Sequence, residues 1–260
     1  MFHAEQPIEL TTIANGKQVF FASDFHLPIQ MKDIRCPTPY REEKIMAWLD
    51  YIMPHAQALF LLGDIFHFWF EYKYLIPKVA LSFQNKLLAL HQANIPVYYF
   101  LGNHDYWAMD YLTQACGIQV YKHPASIKIV NHTFLVGHGD FINPTFRETL
   151  LSKLYKNTFL TSFFRMLPAD WLYWIVETYL NKKSKQNKKY WVFEKNDRIF
   201  QYCENKVEPF THHDFYIFGH THTPYIKALH SSSIYCNLGD WISNYTYASF
   251  DGTQLTLLNF

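Results

Sequence analysis

Short apolar runs that end in polar clusters recur along the chain. Val19–Ser23 runs into Asp24, Ala58–Leu62 into Gly63-Asp64, Val97–Leu101 into Gly102-Asn103, Phe134–Val136 into Gly137-His138, and Phe215–Phe218 into Gly219-His220. Runs this short, rich in Val, Ile, Phe and Tyr, predict buried strands. Between them the pattern predicts helices at about Arg41–Met53, Lys78–Gln92 and Tyr106–Ala115. Strands alternating with helices predict a layered α/β fold. In such folds ligands gather at the C-terminal ends of the strands, where these polar clusters fall.

The segment 141–210 breaks the rhythm. It carries LLSKLYKNTFLTSFFRML, WLYWIVETYL and then NKKSKQNKK, and predicts a helical insertion between two motif-bearing strands. The stretch Ser233–Phe260 predicts a short antiparallel finish. Composition adds boundaries. Of 260 residues, 49% are hydrophobic and 17% charged, which excludes a disordered chain. The net charge of +1 supplies no basic field for nucleic acid. The N-terminus lacks a basic and then apolar leader, so no signal peptide is expected. No uncharged apolar run reaches the length of a membrane span. The four cysteines form no CxxC pair, and reduced thiols are expected.

The candidate chemistry lies in five clusters: Asp24-Phe25-His26, Gly63-Asp64, Gly102-Asn103-His104-Asp105, Gly137-His138-Gly139-Asp140 and Gly219-His220-Thr221-His222. A lone Gly-Asp is ordinarily a turn, and a lone His a satisfied buried ring. Five in succession, each at a strand end, point instead to a shared site. Parallel strands about 4.8 Å apart in one sheet can bring such ends together. Two divalent ions about 3.5–4 Å apart need a ligand set this dense, with one carboxylate shared. Mixed carboxylate, amide and imidazole donors suit Mn, Fe, Zn or Co better than Mg or Ca.

The order DxH, GD, GNHD, GHGD, GHTH resembles the calcineurin-like metallophosphoesterases, from about Val19 to Phe260. Within them, FFASDFHLP, FLLGDIFHFWFEYK, GNHDYW, GHTHTP and NLGDWISNYTYASFDG are similar to the UDP-2,3-diacylglucosamine hydrolases of lipid A biosynthesis. The resemblance implies an αββα sandwich, one domain over 1–260 with a helical lid at 141–210. It implies a first ion held by Asp24, His26, Asp64 and His222, and a second held by Asp64, Asn103, His138 and His220. The pair, taken as Mn²⁺, would activate water for attack on phosphorus, with Asp64 and His104 as catalytic residues. Asp105 would orient His104, and Asp140 would stand behind the ligands. Asn103, His104, His220, Ser184, Lys188 and Lys189 would contact substrate. The implied reaction splits UDP-2,3-diacylglucosamine into UMP and 2,3-diacylglucosamine 1-phosphate at the cytoplasmic face of a bacterial inner membrane.

Departures from the family pattern are visible. GDxxD becomes Gly63-Asp64-Ile65-Phe66-His67, so His67 replaces the usual acid. Phe141-Ile142-Asn143-Pro144-Thr145-Phe146 lacks an acidic substrate contact expected after GHGD, and proteobacterial relatives carry Arg at the position of His104. The lid from Leu150 to Trp191 holds Lys153, Lys156, Arg165, Lys182, Lys183, Lys185, Lys188 and Lys189 against Asp170 and Glu177. Aromatic faces beside a basic tract suit a peripheral element on anionic lipid. Trp171, Trp174 and Trp191 are individually expected in the core. Asn237 to Trp241 are expected to close the site wall, and no protein partner is predicted. The alternatives are a phosphoesterase for another nucleotide or soluble phosphoester, and a non-catalytic scaffold on the same fold.

Overall fold

In this computed structural model the described residues are 7–27, 38–142, 149–150, 153, 156–186 and 197–260, with the side chains of 38, 39, 177 and 180–186 excepted. Two six-stranded sheets form the centre. The first is built from β2 (Gln18–Ala22), β3 (Ala56–Leu62), β4 (Val97–Phe100) and β5 (Gln119–Tyr121), all parallel, with β11 (Thr246–Phe250) and β12 (Leu255–Asn259) antiparallel at one edge. The second has the order β1 (Glu9–Leu10), β6 (Ala125–Ile129), β7 (His132–Val136), β8 (Phe215–Phe218), β10 (Ile234–Asn237), β9 (Tyr225–Ala228).

The strand sequences read as unbroken apolar runs because both faces are covered. Val19, Phe21, Ala58 and Phe60 point between the sheets and meet Ile127, Phe134, Ile217 and Cys236. Phe21 stacks on Phe134 across that gap with ring centroids 6.0 Å apart. The alternate residues Phe20, Ala22, Leu59 and Leu61 point outward against α1 (Thr38–Ile52) and α2 (Leu81–Gln92), through Trp48, Leu49, Phe83 and Leu87. On the far side, Tyr216, Phe218 and Tyr235 pack on Ile199, Phe200 and Cys203. Helix, sheet, sheet, helix is the αββα sandwich that the motif order implies.

Two expected elements differ. The helix expected over Tyr106–Ala115 is only α3 (Tyr111–Cys116). Its front portion is drawn into tertiary contacts: Trp107 bridges to Phe70, and the Glu71 carboxylate accepts the backbone N–H groups of Asp110 and Tyr111 at 3.2 and 3.3 Å. The expected antiparallel finish is split between the sheets. β11 and β12 form a hairpin, but β10 joins the other sheet parallel to β8. Its apolar pattern marks burial on both faces and carries no record of which strand lies beside it.

Between β7 and β8 lie α4 (Thr158–Phe164) and α5 (Ala169–Gln186). Leu172, Tyr173 and Val176 of α5 pack on Phe68 and Phe70. Trp171 and Trp174 therefore face the other way and are 64% and 68% exposed, against the expectation of a core position. Trp191 falls outside the described residues. Cys116, Cys203 and Cys236 are buried free thiols. No described helix is long and apolar enough to cross a membrane.

Glu208 ties the second sheet to its outer helix α6 (Arg198–Tyr202) and the π-helical turn Cys203–Val207. Its carboxylate accepts from Tyr216, from Ser233 at 3.1 Å and from His212 at 2.6 Å. Burial alone would raise its pKa, but hydrogen bonds from Ser231, Tyr216, His212 and Ser233 hold it at about 2. A depressed folded-state pKa adds stability above the unfolded value and loses it as pH falls toward about 2. Glu208→Gln is expected to lower the melting temperature at pH 7, with a gap to wild type that narrows by pH 3. A gap that holds constant between those two melts would contradict this role.

Candidate metal centre

Five strand ends meet at one edge of the sandwich, and they come from both sheets rather than one. β2, β3 and β4 of the first sheet deliver Asp24 and His26, Asp64, and Asn103 and His104; β7 and β8 of the second deliver His138 and His220. The sandwich thus supplies the convergence that a single sheet would have to spread over several strand widths.

The backbone is held out of its easy conformations here. Asp24, His26, Asp64, His220 and His222 have φ of 54°, 44°, 51°, 68° and 58°. Each such left-handed residue costs roughly 1–2 kcal/mol, so the surroundings must fix it. The Asp24 N–H donates to Gly63 O at 3.0 Å, and the His26 N–H to Asp64 O at 2.9 Å. The glycine of GNHD is forced: a Cβ on Gly102 would collide with the Asp64 carboxylate.

Asp64 sits at the middle, 2% exposed. Its Oδ1 accepts the His104 N–H at 2.9 Å. Its Oδ2 lies 3.4 Å from His138 Nε2, 3.7 Å from His26 Nε2 and 3.9 Å from His104 Nε2. Asp24 Oδ2 accepts the His220 N–H at 3.0 Å, while Oδ1 lies 3.4 Å from His222 Nε2 and 3.6 Å from His26 Nε2. Two clusters result, Asp24–His26–His222 and Asp64–His138–His220, each with one donor atom per residue within 4.8 Å of the others. These divide as the two implied ligand sets do. Asn103 completes the group with an Oδ1 that is buried and finds no hydrogen-bond partner among the described residues.

Neighbours fix which nitrogen faces inward. His138 Nδ1–H donates to the Leu62 carbonyl at 2.9 Å, leaving Nε2 toward Asp64. His222 Nδ1–H donates to Asp240 Oδ2 at 3.1 Å, leaving Nε2 toward Asp24. His104 Nδ1–H donates to the His67 carbonyl at 2.7 Å. Asp105, expected to orient His104, does something else. It accepts the N–H groups of Ile65 at 2.8 Å and Gly102 at 2.7 Å, and the Tyr99 hydroxyl, so it clamps the Asp64 loop to the Asn103 loop. The His67 carbonyl holds the ring of His104 in its place.

The electrostatics call for cations. Burial would raise the pKa of Asp24, but His222 and then His138 bring it down to about 2. Asp64 is likewise held well below the usual carboxylate range: burial acts against this, and His138 and His104 overcome it. Burial, then Asp64, pushes Asp105 up to about 6. Burial, then His138, brings His220 down to about 3. Burial lowers His222, but Asp24 and Asp240 carry it up to about 9. Two buried ionised carboxylates, inward imidazole nitrogens and partnerless oxygens at Asp24 and Asn103 fit divalent cations.

The sequence reading missed the Asp240–His222 pair, although NLGDW had marked this wall. Asn237 of the same stretch donates to Gly219 O at 3.0 Å and Thr221 Oγ1 at 2.8 Å, holding the GHTH turn. Asp140 enters neither cluster, and burial raises its pKa. Ser184 lies in α5 with its side chain undescribed, and Lys188 and Lys189 lie outside the described residues.

The chain belongs to the calcineurin-like phosphoesterase family, whose model matches residues 17–224. It is a hydrolase of the phosphoesterase class, and its fold family implies divalent metal ions. A Porphyromonas gingivalis protein named UDP-2,3-diacylglucosamine hydrolase is 28% identical over 256 residues, covering 92% of this chain and 96% of its own. A Shewanella baltica protein of that name is 27% identical over 255 residues, with the same 92% and 96% coverage. Among solved structures, the E. coli phosphoesterase Yfce is 14% identical with a TM-score of 0.48, over 93% of this chain and 92% of that one.

Asp240→Asn keeps the shape beside His222 and removes the charge. Outer carboxylates of this kind are worth about 10–100-fold in metal affinity. Competition against a chelator is expected to show a loss of that size for the variant, and equal affinities would remove Asp240 from the centre.

Proposed function

We propose that the protein cleaves the pyrophosphate of UDP-2,3-diacylglucosamine, giving UMP and 2,3-diacylglucosamine 1-phosphate, with two divalent ions, taken as Mn²⁺. The observation that carries the substrate is the near full-length similarity to relatives named for that hydrolysis. In this reading Asp24, His26, Asp64 and His222 hold one ion, and Asp64, Asn103, His138 and His220 hold the other. Bound there, the ions polarise the phosphoryl oxygens and lower the pKa of water. Water adds to the α-phosphorus, the bridging P–O bond breaks, and the sugar 1-phosphate leaves with that oxygen.

His104 acts beside them. Its Nδ1–H is committed to the His67 carbonyl, so Nε2, on the Asp64 side, is the atom that meets a phosphoryl oxygen, donating to it when Nε2 also carries a proton. In this reading Asn103 and His220 contact the same group. Ser184, Lys188 and Lys189 are retained as substrate contacts of the lid, on the resemblance alone.

The lid supports an acylated substrate. Phe159, Met166, Trp171 and Trp174 are 86%, 82%, 64% and 68% exposed. Aromatic and apolar side chains in a segment whose sequence also carries a basic tract suit contact with an anionic lipid surface, and in this reading the enzyme lies peripherally at the cytoplasmic face of an inner membrane.

Purified protein with Mn²⁺ is expected to release UMP from UDP-2,3-diacylglucosamine and to turn over unacylated UDP-sugars at least 100-fold more slowly. Preference for a soluble nucleotide would move the assignment to another phosphoester. Asp64→Ala and His138→Ala are expected to lose metal and activity together; a wild type with neither would mark a scaffold. Trp171→Ser/Trp174→Ser is expected to cut sedimentation with anionic vesicles several-fold, while unchanged sedimentation would free this face of that role.

A further inference from the structure

A third cluster stands beside the two that the proposed pair uses. His26, His67 and His104 each offer a ring nitrogen within 4.8 Å of the other two. Their ring centroids are 5.6 Å apart for His26–His67, 4.8 Å for His26–His104 and 5.1 Å for His67–His104. Nothing proposed above gives the side chain of His67 a task.

The three rings are held for a ligand that is not yet named. The His67 backbone is pinned at both sides: its N–H donates to Leu27 O at 2.9 Å, and its carbonyl takes His104 Nδ1–H at 2.7 Å. That second bond leaves His104 with only Nε2 to offer. His67 Nε2 is buried and finds no hydrogen-bond partner among the described residues, and the same holds for both nitrogens of His26. A buried polar atom left unpaired costs about 1–3 kcal/mol. A carboxylate at position 67 could have answered the neighbouring rings; an imidazole adds a third ring to them.

We propose that His26, His67 and His104 form a third cation pocket, beside the metal pair, that takes a borderline ion such as Zn²⁺ or Co²⁺. Zinc bonds imidazole nitrogen at about 2.0–2.1 Å, so tetrahedral ligands stand roughly 3.4 Å apart. The ring nitrogens, within 4.8 Å of one another, would have to draw closer to reach that spacing on binding. Three imidazole nitrogens with one open position suit zinc or cobalt and disfavour Mg²⁺ and Mn²⁺, which prefer oxygen. Asp64 Oδ2, 3.7 Å from His26 Nε2 and 3.9 Å from His104 Nε2, supplies nearby negative charge. To serve this ion and the first ion of the pair together, His26 would bridge them through both nitrogens as an imidazolate, its ring proton released to solvent. An ion here takes His104 Nε2 away from the phosphoryl group, so zinc inhibits; this consequence rests on the proposed role of His104.

The test strips the full-length protein of metal, reloads it with Zn²⁺ or Mn²⁺, removes excess by gel filtration and counts bound metal. Wild type is expected to hold one more equivalent of Zn²⁺ than of Mn²⁺. His67→Phe is expected to lose that one Zn²⁺ and keep its Mn²⁺ count. His67→Gln repeats the comparison if the Phe variant melts early. Co²⁺ loading adds a second readout: an intense visible band of tetrahedral cobalt, present in wild type and weakened in the variants. Equal Zn²⁺ counts and equal cobalt spectra in wild type and variants would overturn the pocket. Fewer than two Mn²⁺ in wild type would instead count against the pair, while the zinc difference would still decide the pocket.

Discussion

Two carboxylates kept ionised inside the protein govern everything built around them. Asp24 and Asp64 have almost no contact with solvent, yet both lie far below the usual carboxylate range. A buried negative charge is tolerated only when donors and positive charge surround it. Here the donors are backbone N–H groups from His104 and His220, and the positive partners are imidazoles. Those partners come from loops of both sheets. The apolar gap filled by Phe21, Phe60 and Phe134 brings the sheets together, and the acids determine what must stand at the edge where they meet.

The strained loops follow from that demand. Among the described residues, half of the ten non-glycine residues with positive φ are Asp24, His26, Asp64, His220 and His222. The fold recovers the cost through side-chain clamps onto loop backbone. Asp105 joins the Asp64 loop to the Asn103 loop, and Asn237 holds the GHTH turn from beneath.

The chain discloses its centre more readily than its edges. Motif residues such as Asp24, Asn103 and His222 are legible because strand-end chemistry needs those types after an apolar run. The partner of each strand is not legible: β10 has the same doubly buried pattern whichever sheet receives it. Nor is the aspect of a helix that packs on one short face. Trp171 and Trp174 look like core residues by type, yet Leu172, Tyr173 and Val176 take the inward side. Asp240 was visible as part of a wall, but its hydrogen bond to His222 depends on a turn whose path only coordinates give. The bond from His104 to a backbone carbonyl at His67 leaves no mark in residue types at all.

The placement of β11 bears on the order of events during synthesis. β11 lies directly beside β2, so residues near 248 complete the sheet begun near residue 21. The supports Asn237 and Asp240 also arrive after every residue of the Asp24–His26–His222 and Asp64–His138–His220 clusters has been made. A nascent chain lengthening past His222 thus carries its full set of donors before it has the wall that aims them. Domains tend to fold as units once their sequence is available. The wall that orients His222 is accordingly made later than the residue it orients.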